Sequence, residues 1–217
     1  MDRRQWTVEI SSEVETRYAS LKSKDKAMAD RAFDRLAEHG PALRMPHARP
    51  LGGGLCELRF TCEGTARRVT YYVDVQQRII TLTTFRKQRQ NERRELAVPG
   101  RPCAPASRQE TPMANLTLDE LQAKYPPEDR EEYDRAYAAA TLAGQLAELA
   151  YTLRTRAGLT QTELARRMGT TQSSIARIEG GGSLPTLDML ARLAHATSTP
   201  LRLAAPGITG VDLGGAA

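Results

Sequence analysis

Two neighbouring strands predicted in the first half of the chain carry arginine on their polar side. Residues 55–62 alternate between apolar and polar types, and Arg59 falls on the polar side. In the next predicted strand, Arg68 and Tyr72 share the corresponding side. Clustered guanidinium groups repel one another unless an anion lies between them, and a tyrosine ring can stack on a base. The pattern therefore predicts a surface for a nucleic-acid backbone or, equally, a solvated face that keeps the protein soluble.

More cations follow the third predicted strand, at residues 79–85. The stretch FRKQRQNERREL predicts a basic turn and a short helix, and it brings Arg86, Lys87 and Arg89 to the end of that strand. The predicted sheet has no histidine, and its polar side carries one carboxylate, Glu57. His39 at a helix end and His47 in a loop are interpreted as surface or core-edge residues. No general base is identified from the pattern.

Two helices and a small antiparallel sheet are predicted to position these residues. Residues 5–10 are typical of an opening strand, Ser11 or Ser12 of a helix cap, and Gly40-Pro41 of the end of a second helix. The inward faces of the two helices are predicted to carry Val14, Tyr18 and Leu21, then Ala29, Phe33 and Leu36. Residues 44–49 are expected to be irregular. Because both helices cover one face of the sheet, its other face is expected to stay open.

Composition limits the classes of protein. The chain has 217 residues, room for two small domains, and no apolar run approaches the length of a membrane span. The start of the sequence lacks the apolar core of a signal peptide, so a cytoplasmic protein is expected. The three cysteines (Cys56, Cys62, Cys103) match no zinc-binding spacing, and Cys56 and Cys62 are interpreted as packing residues. No metal, cofactor or membrane partner is expected.

Charge is unevenly distributed along the chain. Residues 1–99 hold 19 Lys and Arg against 13 Asp and Glu, a net charge of +6, whereas residues 113–217 hold 10 against 12, a net charge of −2. Residues 98–112, rich in Pro and Ala, predict a flexible linker between a domain at 1–97 and the second half. The basic half therefore needs an anionic partner, or the acidic half beside it.

Residues 113–138, here called the acidic segment, follow this linker. Seven acidic and three basic residues lie within 113–135, together with three leucines, Leu116, Leu118 and Leu121. We hypothesise that the segment docks on the basic domain, with the leucines as apolar anchors. On charge alone, a solvated helix that caps the next domain is equally compatible.

Residues 159–180 are typical of two short helices joined by a tight turn. Thr160 and Glu163 form a capping box, Gly169 allows the turn, and Thr171 caps the second helix. In that helix Ile175 and Ile178 are predicted to face the core. Its outward face is predicted to carry Gln172, Ser173, Ala176 and Arg177. Polar residues and an arginine at these positions are suited to base edges and phosphates.

Flanking helices complete a predicted domain at 139–205. Leu142, Leu146, Leu149 and Leu153 repeat at helical spacing before Gly158, and Thr186 is predicted to cap a helix with Leu187, Leu190 and Leu193. Residues 200–204 are predicted to pair as a strand that assists a homodimer. Residues 206–217, rich in Gly and Ala, are expected to be disordered.

The second half resembles the Cro/phage-repressor (XRE) helix-turn-helix family over about 60 residues. The resemblance implies that Thr171, Gln172, Ser173 and Arg177 contact bases of operator DNA, and that Gln161 contacts phosphate. It also implies binding to palindromes as a dimer, because two recognition helices must reach successive major grooves. The stretch that opens the acidic segment resembles the start of a HigA-type antitoxin.

The first half is similar to the phage-derived, Gp49-like HigB branch of the RelE/ParE toxin superfamily. The similarity rests on LGGGLCELRF, ARRVTYYV and QRIITLTTFRKQRQNERREL and covers about 95 residues. It implies an α+β domain that cleaves mRNA on the ribosome without a metal. The residues it marks as catalytic are Arg59, Arg68, Arg86 and Lys87. Those expected to bind RNA are Tyr72, Arg67 and Arg89.

Together the resemblances imply a toxin and its antitoxin joined in one chain, with a possible endoribonuclease held inactive by an intramolecular contact. A transcriptional regulator whose first domain has lost catalysis and binds protein or RNA is an alternative, favoured by the missing acid/base pair. A third possibility is a domain that poisons a protein target such as gyrase, against which the basic face argues.

Overall fold

A computed structural model describes residues 5–74, 76–86, 115–206 and 208–214. The chain divides into two compact units, Met1–Ala138 and Ala139–Ala217. The acidic segment therefore belongs to the first unit, where its described residues, 115–138, pack with the domain that precedes it. The linker predicted at 98–112 lies outside the described residues.

The first unit is an α+β structure, as predicted. Its elements are β1 (Thr7–Ile10), α1 (Ser12–Ala19), α2 (Ser23–His39), a 3₁₀ turn (Gly40–Ala42), β2 (Ala48–Gly52), β3 (Leu55–Cys62), β4 (Thr65–Val73), β5 (Arg78–Arg86), β6 (Leu116–Thr117), α3 (Leu118–Lys124) and the start of α4 (Arg130–Arg156). Within the described residues the strands form one sheet in the order β2-β3-β4-β5-β1-β6.

Two features of this sheet differ from the prediction. Residues 48–52 form the edge strand β2, where an irregular stretch was expected. Strand β1 runs parallel to β5, so the sheet is mixed and not wholly antiparallel. The reason is the helical crossover: α1, α2 and three strands separate β1 from β5, which is the length of connection that a parallel pair requires.

Local signals place the two helices where the sequence predicts them. The Ser11 side chain caps α1, and Gly40 ends α2 with a positive φ of 51°. A Cβ at Gly40 would overlap the Trp6 indole ring, so only glycine fits this approach. The core between helices and sheet contains the predicted inward residues of both helices, and Val8, Leu58, Val69, Tyr71 and Ile79 from the strands. Cys62 is packed there, and burial raises the pKa of its thiol to about 12.

The second unit contains the predicted helix-turn-helix. The boundary between the units falls within α4, which is followed by α5 (Gln161–Arg167), α6 (Gln172–Glu179), α7 (Leu187–Ala196) and the strands β7 (Arg202–Ala205) and β8 (Ile208–Asp212). Side chains of Thr160, Thr171 and Thr186 accept hydrogen bonds at the starts of the three helices, and the capping box of Thr160 is present. All of these caps were predicted.

Three predictions for the second unit differ from the structure. Leu142 is 48% exposed, and the buried stripe of α4 is Ala143, Ala147 and Ala150 with Leu153, because the adjacent alanines repeat with the same helical period. Leu187 is also exposed, at the first turn of α7. Residues 208–212, expected to be disordered, form β8 and pair with β7 as an antiparallel hairpin. The strand predicted at 200–204 to assist a homodimer therefore has its partner strand in the same chain.

Candidate nucleic-acid interfaces

Arg59 and Arg68 lie directly opposite each other on β3 and β4. A two-residue turn at Glu63 and Gly64, with φ of 52° and 65°, joins these strands. Two positive φ values in a two-residue turn are typical of a type I′ hairpin, which fixes the register of the strands it connects. The short turn therefore places the two arginines, here called the arginine pair, side by side.

A carboxylate lies between the two guanidinium groups. Glu57 Oε1 is 3.0 Å from Arg68 Nε and 3.3 Å from Arg59 Nε. Arg68 also donates to the Arg67 carbonyl at 2.9 Å, and Arg59 Nη1 lies 2.9 Å from Met45 Sδ. One acid shared by two cations leaves a local excess of positive charge, so the arrangement is suited to hold an anion.

The face that carries the arginine pair is less open than the sequence predicts. Arg68, Thr70 and Glu57 are 5%, 6% and 8% exposed, whereas the Arg59 side chain retains 23%. Burial of Arg68 is compatible with its charge because Glu57 neutralises it at close range. Arg59 is therefore the more accessible member of the pair.

Arg67 is not brought to the arginine pair. It alternates with Val69 and Tyr71, whose side chains lie in the core, and it is 7% exposed. Its guanidinium binds Glu63, which also binds Arg17. These hydrogen bonds, first that from Arg17, hold the pKa of Glu63 below its usual value. The Arg67 contacts stabilise the turn between β3 and β4.

The structure gives less information about the remaining candidate site residues of the first unit. Tyr72 is 37% exposed and shares the side of Arg68, four residues along β4, or ~13 Å. Burial, with the carboxylates of Asp74 and Glu9, raises the pKa of its hydroxyl. In the strand register Arg86 lies opposite Arg67. Lys87 and Arg89 lie outside the described residues.

Four of the five candidate DNA-binding residues lie at the starts of α5 and α6, and Arg177 follows in the last turn of α6. Gln172, Ser173 and Arg177 are exposed, and the Thr171 hydroxyl lies 3.0 Å from that of Ser173. Gln172 Nε2 donates to Gln161 Oε1 at 2.8 Å, so the side chain from the first helix positions the one from the second. The structure thus assembles all five predicted residues at one surface.

A buried ion pair supports this surface and was not predicted. Gln161 Nε2 donates to Glu179 Oε2 at 2.8 Å, and Glu179 also accepts from Arg154 Nε at 2.5 Å and Nη2 at 2.9 Å. The Glu179 side chain is 4% exposed and that of Arg154 12%. The hydrogen bond to Glu179 raises the pKa of Arg154 further. Glu179 is a charged residue next to the apolar positions of α6, and this was the signal in the sequence that could have predicted the ion pair.

Comparisons with known proteins agree with the two resemblances drawn from the sequence. Residues 18–98 match the family described as phage-derived protein Gp49-like, and residues 151–203 match a helix-turn-helix family. The chain joins a Gp49-like domain to a helix-turn-helix domain. This order is consistent with a toxin–antitoxin fusion and confirms the resemblance drawn from the sequence. Searches of curated proteins and of solved structures gave no match.

No helix within the described residues is both long and apolar enough to cross a bilayer. In the same part of the chain, no group of three or more His, Cys, Asp or Glu residues is placed to hold a metal ion. We use the name Gp49-like domain below for the part of the first unit that precedes the acidic segment.

The acidic segment packs on the Gp49-like domain through the predicted anchors. Leu118 and Leu121 are 3% and 0% exposed and belong to the same core as Ile10. Leu116 is half-buried and lies opposite Ile10, where β6 pairs with β1. The segment therefore adds both a strand and apolar side chains to the domain.

The charge argument for this docking does not describe the ion pair found among the described residues. An ion pair across the contact has the opposite polarity, with Lys124 on the segment and Glu15 on the domain, 2.8 Å apart. Glu15 also accepts from the Tyr125 hydroxyl at 2.9 Å, and the hydrogen bond from Lys124, followed by that from Tyr125, lowers the pKa of Glu15.

Acidic residues of the segment serve its own helices. Glu120 completes a capping box at the start of α3, and the Asp129 side chain accepts from the backbone of Glu132 at 2.9 Å. Negative charge at these helix N-termini is stabilising, which accounts for part of the acidic composition of the segment.

Proposed function

We propose that this chain is a toxin–antitoxin fusion. Its Gp49-like domain is a metal-independent endoribonuclease that acts on mRNA at the ribosome and is held inactive by the acidic segment. Its helix-turn-helix domain binds operator DNA and represses transcription. The observation that supports the nuclease is the arginine pair, placed side by side around Glu57.

The reaction suited to this site is attack of a ribose 2′-oxygen on the adjacent phosphorus. The new O2′–P bond forms as the P–O5′ bond breaks, which gives a cyclic phosphate and a free 5′-hydroxyl. Negative charge grows on the phosphoryl oxygens in the transition state, where positioned guanidinium groups stabilise it. Arg59 and Arg68 have this role.

Glu57 is the carboxylate that we assign to the proton transfer. A phosphate binds guanidinium groups in the same geometry as a carboxylate, so the substrate would displace Glu57 from the arginine pair. Its freed oxygen then accepts the proton of the attacking 2′-hydroxyl. Lys87 donates a proton to the leaving O5′, and Tyr72 stacks on a neighbouring base. Arg89 contacts the RNA backbone. The placement of Arg67 removes it from this set, and Arg86 is removed with it, because Arg86 lies opposite Arg67 in the strand register.

In the helix-turn-helix domain, Thr171, Gln172, Ser173 and Arg177 contact base edges and phosphates in the major groove. Gln161 binds phosphate and fixes Gln172 by the hydrogen bond that joins them. A palindromic operator and a homodimer follow from the geometry of this motif.

A regulator with a catalytically inactive first domain is the second candidate. The burial of Arg68 at 5% exposure and its close contact with Glu57 favour this candidate, because a structural ion pair needs no substrate. An experiment distinguishes a first domain that cleaves RNA from one that only binds protein or RNA.

The test expresses residues 1–112 and residues 113–217 from separate inducible promoters. We expect residues 1–112 to arrest growth with new 5′ ends inside translated mRNAs. Co-expression of residues 113–217 should restore growth and yield a complex that purifies together. R59A/R68A should abolish arrest while the complex still forms.

K24A is the matched control, since Lys24 is an exposed cation on α2, which covers the other face of the sheet, and its substitution should leave arrest unchanged. A fragment 1–112 that is folded on its own by circular dichroism, yet causes no arrest, would refute the nuclease and favour the regulator.

A further inference from the structure

Helix α2 buries two faces. Its apolar face carries Phe33 and lies in the core. A second face carries four polar residues at spacings of three, four and four, here called the polar stripe: Ser23, Lys26, Asp30 and Asp34. They are 5%, 6%, 2% and 8% exposed. Charged side chains are rarely buried to this degree without partners, so this face is built to be covered.

Every member of the polar stripe meets a group of the acidic segment. The four contacts are Ser23 Oγ with the Asp129 backbone N–H (2.9 Å), Lys26 Nζ with the Pro126 carbonyl (3.2 Å), Asp30 Oδ2 with the Tyr133 hydroxyl (2.6 Å) and Asp34 Oδ2 with the Tyr137 hydroxyl (2.6 Å). Two carboxylates one turn apart on α2 are thus matched by two tyrosines one turn apart on α4.

The two tyrosines are specific partners for these carboxylates. Their rings stack with centroids 6.1 Å apart, which aligns both hydroxyls along α2. Asp30 Oδ2 also accepts from the Tyr18 hydroxyl of its own domain at 3.0 Å, so two tyrosine hydroxyls, one from each side of the contact, share this oxygen. A partner with phenylalanine would remove one donor from each buried carboxylate, and one with glutamate would add a like charge.

We propose that the polar stripe is the surface by which the Gp49-like domain selects its antitoxin segment. The segment it fits is a helix start with tyrosines at positions i and i+4, preceded by a backbone N–H over Ser23 and a carbonyl at Lys26. In this chain the occupant is its own acidic segment. Only the consequence that docking silences the domain rests on the proposed function.

The test uses the full chain with Y133F/Y137F, which removes two oxygens and keeps both rings. Amide hydrogen exchange of residues 116–124 should become roughly 10- to 100-fold faster, because each buried carboxylate loses one of its hydrogen-bond donors across the contact. Exchange in β3 and β4 should not change. The matched control is Y151F, which removes the same atom from the second unit.

A second arm offers biotinylated peptides of residues 115–138 to the Y133F/Y137F chain. We expect the wild-type peptide to be captured and the Y133F/Y137F peptide not. Equal capture of both peptides, unchanged exchange of residues 116–124, or a uniform acceleration in every strand would each overturn the proposal. If exchange is faster and capture is selective, but residues 1–112 cause no growth arrest, the role of the polar stripe is supported and the nuclease activity is contradicted.

Discussion

The buried ion pair between Arg154 and Glu179 of α6 allows a sharp prediction about the second unit. E179Q keeps the shape of the side chain but replaces one acceptor oxygen by an amide donor. That donor would face Arg154 and Gln161, both of which donate to Glu179. The substitution therefore leaves a guanidinium with 12% of its side chain exposed and without its counter-charge.

The expected cost follows from the burial of this pair. Removing one partner of a buried ion pair costs about 3–5 kcal/mol, a large share of the ~5–15 kcal/mol that stabilises a typical domain. In a domain of this size each 1 kcal/mol shifts the melting temperature by about 4–8 °C. We expect the melting temperature of the second unit to fall by at least about 12 °C.

The assay uses two probes that separate the units. The chain has one tryptophan, Trp6, in the first unit, so its fluorescence reports that unit, whereas far-ultraviolet circular dichroism reports both. In E179Q the helical signal should melt earlier and the Trp6 transition should stay. E148Q, at an exposed position of α4, is the control and should change stability by less than about 0.5 kcal/mol. An unchanged helical transition in E179Q would refute the assigned role of the ion pair.

Three further predictions concern other parts of the chain. Burial raises the pKa of Asp30, so the folded first unit binds this proton more tightly than the unfolded chain does. The free energy of unfolding relative to D30N should therefore fall as pH rises from ~3.9. Unfolding curves followed by Trp6 fluorescence at several pH values measure this, and the opposite trend would contradict the assignment. G40A should lower the free energy of unfolding of the first unit by more than about 1 kcal/mol, because its Cβ meets the Trp6 ring and φ is positive, and a free energy within error of wild type would contradict this. R177A should weaken operator binding and relax base preference at one position by about 1–3 kcal/mol in a salt-controlled gel-shift assay, and an equal loss on all sequences would instead indicate a phosphate contact.

Features set by neighbouring residues were predictable from the sequence. Thr160 and Glu163 form their capping box within four positions, and the period of two in β3 and β4 placed Arg59 and Arg68 on one side. Their exact pairing depends on the turn at Glu63 and Gly64, which is also local. The fold class and the helix-turn-helix follow from signals of this range.

Features that depend on distant partners were not predictable. Asp30 and Tyr133 are 103 positions apart, so the polar stripe had the pattern of a solvated helix face until α4 covered it. The alternation of β4 put Arg67 on the helix side, but its partnership with Glu63 depends on the turn geometry. In α4, leucine and alanine repeats share one period, and only the packing decides which stripe is buried.

The acidic segment completes the Gp49-like domain as well as covering it. β6 pairs with β1, which would otherwise be an open edge, and Leu121 is wholly buried among residues of the domain. Because both parts belong to one chain, the segment is present at an effective concentration of about 1 mM. For an intrinsic Kd of about 1 μM, roughly one molecule in a thousand would then be open at equilibrium. Opening of this contact, and not separation of two proteins, is therefore the event that would free the domain to act.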